Sequence, residues 1–141
     1  MRMMKWLTFI LLLAVVGCKE NKDQLKQLQG RTWQLKSIKY EEKATELPEK
    51  WPELLFTDST ACYGFAGCNR FFGKYEADNN GKLVILLEGA TMMSCPDMEF
   101  EDGYLKALSK VERYTVSEQK LILKGLKEAV YLEYVLKKEE E

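Results

Sequence analysis

The stretch Gly64 to Glu76, GFAGCNRFFGKYE, sets three glycines, a cysteine, an asparagine, an arginine and four aromatic side chains in thirteen positions. Gly64, Gly67 and Gly73 stand where a tight chain reversal or a close approach between backbones needs a missing Cβ. Asn69 carries donors and an acceptor able to satisfy the backbone groups of a turn. Phe71, Phe72 and Tyr75 divide between the two faces of a sheet. Arg70 alone has no evident architectural task. The stretch therefore reads as a glycine elbow in a sheet, with an active site as the competing reading.

The flanking segments read as short strands. Thr32 to Tyr40 alternates Trp33 and Leu35 with polar neighbours and resumes on Ile38 and Tyr40 out of phase, which predicts a strand with a bulge near Ser37. Glu41 to Glu53 is acidic, is broken by Pro48 and Pro52 and has no usable period, so it reads as a loop, with Trp51 folding back on the core. Leu54 to Phe56 is a short strand. The chain then runs through Cys62 and Phe65 to the Ala66-Gly67 turn and out through Phe71 and Tyr75. Asn80-Gly81 signals a hairpin of type I′, whose two central residues need positive φ, with Lys82 to Leu87 returning. Arg113 to Ser117, Lys120 to Leu123 and Ala129 to Leu136 complete the strands.

One helix is convincing, between Pro96 and Val111. Asp97 can cap it, Glu99, Glu101 and Asp102 crowd its first turn, and Phe100, Tyr104, Leu108 and Val111 recur along one face. A length of 141 residues suits one domain with its own core. The expected fold is α+β: a single compact domain with a curled, barrel-like antiparallel sheet of about seven strands and one main amphipathic helix.

The N-terminus bears on the compartment. MRMMKWLTFILLLAVVGCKE has basic Arg2 and Lys5, an apolar run from Trp6 to Val16 and a small Gly17 before Cys18. This is the layout of a secretory signal, and its apolar run of about a dozen residues is short of the roughly 20 that span a bilayer. Val15-Val16-Gly17-Cys18 resembles the bacterial lipobox. The resemblance implies a lipoprotein signal peptide over 1–17, lipidation at Cys18 and attachment to the membrane through that anchor. By analogy with lipoprotein sorting, Lys19 favours the outer membrane, with the periplasmic or surface face left open. Residues 18–27 read as a polar tether, 28–136 as the domain and 137–141 as a charged tail.

The remaining chemistry is sparse. With 21 basic and 22 acidic residues the chain has no field to steer nucleic acid. It has no histidine, and hence lacks the usual general base and the commonest metal ligand. Among Cys62, Cys68 and Cys95, the preferred disulfide is Cys68 with Cys95, which closes a loop of about 28 residues and ties the elbow to the start of the helix. Cys62 with Cys68 across the hairpin is the competing pair. In the preferred arrangement Cys62 is a small buried hydrophobe, and a catalytic thiol is disfavoured without a histidine to activate it. The acids invite a glycosidase reading, but those of the helix's first turn already have a structural purpose there, and Glu41, Glu42 and Glu88 read as surface. Met92 and Met93 beside Cys95 could bind a soft metal; core filling is the stronger reading. No catalytic residue, no metal and no cofactor is expected.

Several segments together resemble the META domain, or HslJ-like, family of envelope lipoproteins. Leu28-Gln29-Gly30-Arg31-Thr32-Trp33-Gln34-Leu35 is similar to the family's opening Leu-x-Gly-x-x-Trp-x-Leu. Gly67-Cys68-Asn69-Arg70-Phe71-Phe72-Gly73-Lys74-Tyr75 is similar to Gly-Cys-Asn-x-Phe-x-Gly-x-Tyr, and Thr91-Met92-Met93-Ser94-Cys95 to Thr-x-Met-x-Cys. Tyr104 to Leu108, Tyr114-x-Val116 and Leu121-x-Leu123 continue the likeness, which covers nearly everything from Leu28 to Tyr134. It implies a compact barrel-like domain with structural motif residues Gly67, Asn69, Phe71, Gly73 and Tyr75, and cysteines at Cys68 and Cys95. It also implies stress-associated or virulence-associated roles without established catalytic residues. The expected function is a non-catalytic interaction module, possible partners being an envelope protein or a small ligand. A barrel holding an apolar, lipid-like ligand is the alternative.

Overall fold

The out-of-phase apolar pattern of Thr32–Tyr40 becomes the central strand, β1, whose register against its neighbour slips between Leu35 and Ser37, at the expected bulge. The computed structural model describes residues 23–96 and 98–139. The signal segment, Cys18 and the expected cap Asp97 lie outside the described residues. A short helix, α1 (Gln24–Leu28), precedes β1, within and just after the stretch read as a polar tether. Leu28 is fully buried and accepts the indole N–H of fully buried Trp33 at 3.1 Å.

Eight more strands follow: β2 (Lys43–Thr45), β3 (Glu53–Phe56), β4 (Ala61–Phe65), β5 (Arg70–Ala77), β6 (Leu83–Ala90), β7 (Val111–Val116), β8 (Lys120–Gly125) and β9 (Val130–Leu136). Helix α2 (Met98–Ser109) sits between β6 and β7 in the chain. The strands form one antiparallel sheet in the order β6-β5-β4-β3-β1-β9-β8-β7, with β2 added to β1. The ends of this path meet at a bridge between Lys82 and Arg113, and Tyr114 N–H donates to the Gly81 carbonyl at 2.8 Å. The sheet is thus a nearly closed barrel of nine strands among the described residues, one of which, β2, the sequence did not show.

The extra strand lies in the segment read as a loop. β2 pairs with the end of β1 through a two-residue turn at Glu41 and Glu42, both of positive φ, 52° and 64°. That is the type I′ requirement, met by two glutamates and held by the bond from Glu41 N–H to the Ala129 carbonyl. Asn80-Gly81 does turn a hairpin, but of another kind. Only Gly81 has positive φ there, and the Asp78 carboxylate accepts from the N–H groups of Asn80 and Lys82. This matches a three-residue loop closed by a left-handed glycine, because the β5–β6 register pairs Ala77 with Leu83 and leaves more than two residues to turn. Trp51 does not fold back on the core: it is 47% exposed, and the buried residue of that segment is Pro52.

The barrel interior is occupied by side chains. Trp33, Phe56, Leu35, Leu54, Leu121 and Leu132 are fully buried, each contributing about 1.5–3 kcal/mol by leaving water. Helix α2 turns Phe100, Tyr104, Ala107 and Leu108 inward, and the Tyr104 and Tyr134 hydroxyls share a buried hydrogen bond of 2.7 Å.

Candidate functional site

The elbow is built by β4, β5, the segment Thr91–Cys95 and the start of α2. Its backbone reverses at Gly67, whose φ is +102°, and Ala66 N–H closes the turn on the Asn69 carbonyl at 2.9 Å. Gly73 marks a close approach of strands: a Cβ there would lie 2.2 Å from the Leu86 carbonyl oxygen. Phe71 and Tyr75 point inward and are buried, while Phe72 between them is 48% exposed. The Tyr75 hydroxyl accepts from Gln29 Nε2 at 2.7 Å and donates to the Thr57 carbonyl, tying β5 to the segment before β1.

Asn69 is the centre of the arrangement. It is 2% exposed, and its side chain makes four hydrogen bonds. Oδ1 accepts from Met93 N–H at 2.7 Å and from the Thr91 hydroxyl at 2.8 Å. Nδ2 donates to the Met93 carbonyl at 3.0 Å and to Glu101 Oε2 at 2.7 Å. Two amide protons and two lone pairs are thereby all used. The Asn69 backbone N–H adds a bond to Glu101 Oε1 at 2.6 Å, so one carboxylate grips both donors of one residue. An aspartate at position 69 would set a second acid against Glu101 in place of the amide donor.

Glu101 is what the sequence reading missed. The sequence gives it, with Glu99 and Asp102, a structural purpose at the positive end of the helix, yet it is 3% exposed and has no ion pair among the described residues. The signal was available. Position 101 lies three before Tyr104 and seven before Leu108, on the buried stripe of α2, where an acid needs an internal partner.

The structure joins Cys68 to Cys95 as a disulfide, with Cα atoms 6.1 Å apart, and not Cys62 to Cys68. Thr91, Met93 and Cys95 therefore have distinct tasks in holding one segment: a hydroxyl donor, a backbone pair and a sulfur. The methionines do not fill the core. Met92 and Met93 are 94% and 57% exposed, because Met93 is held through its backbone while its side chain projects outward. Arg70 is exposed, with its guanidinium 6.0 Å from the Phe65 ring centroid, beside a shallow groove of 300 Å³ lined in part by Tyr63, Phe65 and Glu53.

Cys62 is a free, fully buried thiol. Burial first, and the Glu88 charge second, push its pKa up from 9.0 to about 11. That raises the barrier to reaction: two pKa units leave about 100-fold less thiolate at neutral pH. The expected result is that iodoacetamide at pH 8 labels Cys62 about 100-fold more slowly in the folded protein than in urea, read by mass spectrometry. The shift also favours the fold in full below about pH 9, a contribution lost as pH rises towards about 11.

The sequence model of the META domain matches residues 26–139. Among solved structures, the chain is similar to a protein from Burkholderia xenovorans solved by NMR, at 26% identity, with a TM-score of 0.67 over 82% of this chain and 87% of that one. It is also similar in fold to a DUF4847 family protein from Bacteroides vulgatus, at 13% identity and TM-score 0.61, over 80% of this chain and 96% of that one. No curated protein matches it.

Proposed function

The chain belongs to the META domain family, and from that premise we propose that it is a lipid-anchored protein of the bacterial envelope whose small domain works as a non-catalytic binding module. The observation that carries the non-catalytic reading is the use of every Asn69 side-chain donor and acceptor in bonds to Glu101, Thr91 and Met93, with both Glu101 carboxylate oxygens turned onto Asn69. A general base or a hydrogen-bonding subsite needs a polar group free to meet a ligand; buried Asn69 and Glu101 are engaged with the corner itself, and exposed Arg70 of the same turn is a cation and not a base. Filling of the barrel by Trp33, Phe56, Tyr104 and Tyr134 favours a module that binds on its outside over a barrel that encloses an apolar ligand.

The anchor rests on Val15-Val16-Gly17-Cys18 and the basic and apolar residues before it. Among the described residues no helix is long and apolar enough to cross a membrane. Acyl chains on Cys18 contribute about 0.8 kcal/mol per buried methylene, enough for two or more chains to hold the domain at a bilayer. Lys19 directs the proposal to the outer membrane, and envelope integrity under stress is the setting the family resemblance suggests. The test is the intact mass of the protein purified from membranes, expected to begin at an acylated Cys18. Cys18→Ala is expected to leave the signal segment attached or to release the domain from the outer-membrane fraction. An unmodified chain starting at Met1 defeats the anchor reading.

A further inference from the structure

Helix α2 carries a glycine that nothing among the described residues explains. Gly103 does not have positive φ, and a Cβ built on it meets no atom within 4 Å. A glycine inside a helix costs about 1 kcal/mol relative to alanine, and among the described residues no turn or close packing partner offsets that. The missing side chain opens onto a groove of 900 Å³ between α2 and the β1–β2 hairpin. Ile38, Phe100 and Tyr104 contribute its apolar floor.

Two further features say what would fit there. β2 forms one wall, and all three of its residues are exposed. It pairs with β1 on one side and, among the described residues, with no strand on the other. Its free edge therefore presents backbone donors and acceptors of the kind a further strand satisfies. The rim carries Glu41, Glu46, Glu99 and Asp102 against Lys43 and Lys106. None of the four acids is in an ion pair among the described residues. An acidic surplus beside an open strand edge calls for a chain that brings both backbone groups and positive charge.

We propose that this groove takes an extended, lysine- or arginine-bearing segment of a partner protein, added as a strand to β2 and seated over Gly103. The proposal rests on the binding-module reading and gives that module a partner class. Alternate side chains of the added segment face the apolar floor and the acidic rim, as the two-residue repeat of a strand requires. Bulk at position 103 closes the seat, whereas the glycine leaves it open.

The test uses the full chain in detergent micelles and a fluorescent octapeptide of alternating lysine and valine, with an alternating glutamate and valine peptide as control. The basic peptide is expected to bind and to shift the amide resonances of Ala44, Thr45 and Gly103. The acidic peptide is expected not to. Gly103→Gln fills the groove and improves helix propensity, so it is expected to weaken binding by about tenfold or more while leaving the melting temperature unchanged or higher. The double variant Glu99→Gln, Asp102→Asn is expected to weaken binding and flatten its salt dependence. Absence of binding, equal binding of the acidic peptide, or full affinity in folded Gly103→Gln overturns the proposal. The anchor is read separately from the mass at Cys18, so either reading can fail without the other.

Discussion

Asn69→Ala lowers the melting temperature by about 10–20 °C, the largest loss expected from any single side chain of the elbow. The substitution removes four hydrogen bonds, two with the Met93 backbone, one from the Thr91 hydroxyl and one to the Glu101 carboxylate. Glu101 then keeps only the Asn69 backbone N–H as partner while remaining buried. Losing a donor to a buried carboxylate costs about 1.5–3 kcal/mol, above the 0.5–1.5 kcal/mol of each ordinary hydrogen bond lost with it. Glu101→Gln is milder, about 1–3 kcal/mol, because its carbonyl still accepts one Asn69 donor while its amide group meets the other as donor against donor. Pairing Asn69→Ala with Glu101→Leu is expected to lose less than the two single changes summed, since the double variant leaves no buried charge. Thermal melts followed by circular dichroism settle all four chains. A fall of less than about 3 °C for Asn69→Ala would show that water takes over the bonds of the elbow.

Much of this architecture was legible in the chain because it depends on local pattern. The bulge in β1 showed as a phase slip between Leu35 and Ile38, and the inward face of α2 as the spacing of Phe100, Tyr104 and Leu108. The elbow was recognisable because Gly67 and Gly73 have no side-chain alternative at a positive φ or a 2.2 Å approach. Features set by tertiary pairing were not legible. β2 is three residues long and owes its existence to the edge of β1, so no propensity in Lys43–Thr45 announces it. The two-residue turn before it is made of glutamates, against every turn preference, while the better turn sequence at Asn80-Gly81 adopts the longer loop that its register imposes. Glu101 was hidden for a different reason. Its position at a helix start offered a sufficient explanation on the surface, and only contact with Asn69, 32 residues away in the chain, gives it an inner one.

Removing the disulfide by Cys68→Ala and Cys95→Ala destabilises the domain by about 3–4 kcal/mol on the chain-entropy model, read as a lower urea midpoint with a denatured state that expands. The bridge spans a sequence separation of 27 and joins the residue before Asn69 to the segment that Asn69 holds by hydrogen bonds. Both devices fix the same stretch, Thr91–Cys95, against the same corner, so their effects cannot be independent. Once the disulfide is gone, the hydrogen bonds of Asn69 must order that stretch alone; once Asn69 is gone, the disulfide tethers a stretch with little else to hold it. The combined variant is therefore expected to lose less than the sum of its parts, by about 0.5–3 kcal/mol. Alkylation of the folded protein before reduction provides the chemical control: Cys68 and Cys95 stay unlabelled because they are bonded, Cys62 because it is buried. If the two variants add without interaction, the elbow and the bridge act on separate parts of the fold. The Thr91–Cys95 segment would then be held by its own conformation, and the stability of the corner would have to come from the apolar contacts of Phe71 and Phe100 beneath it.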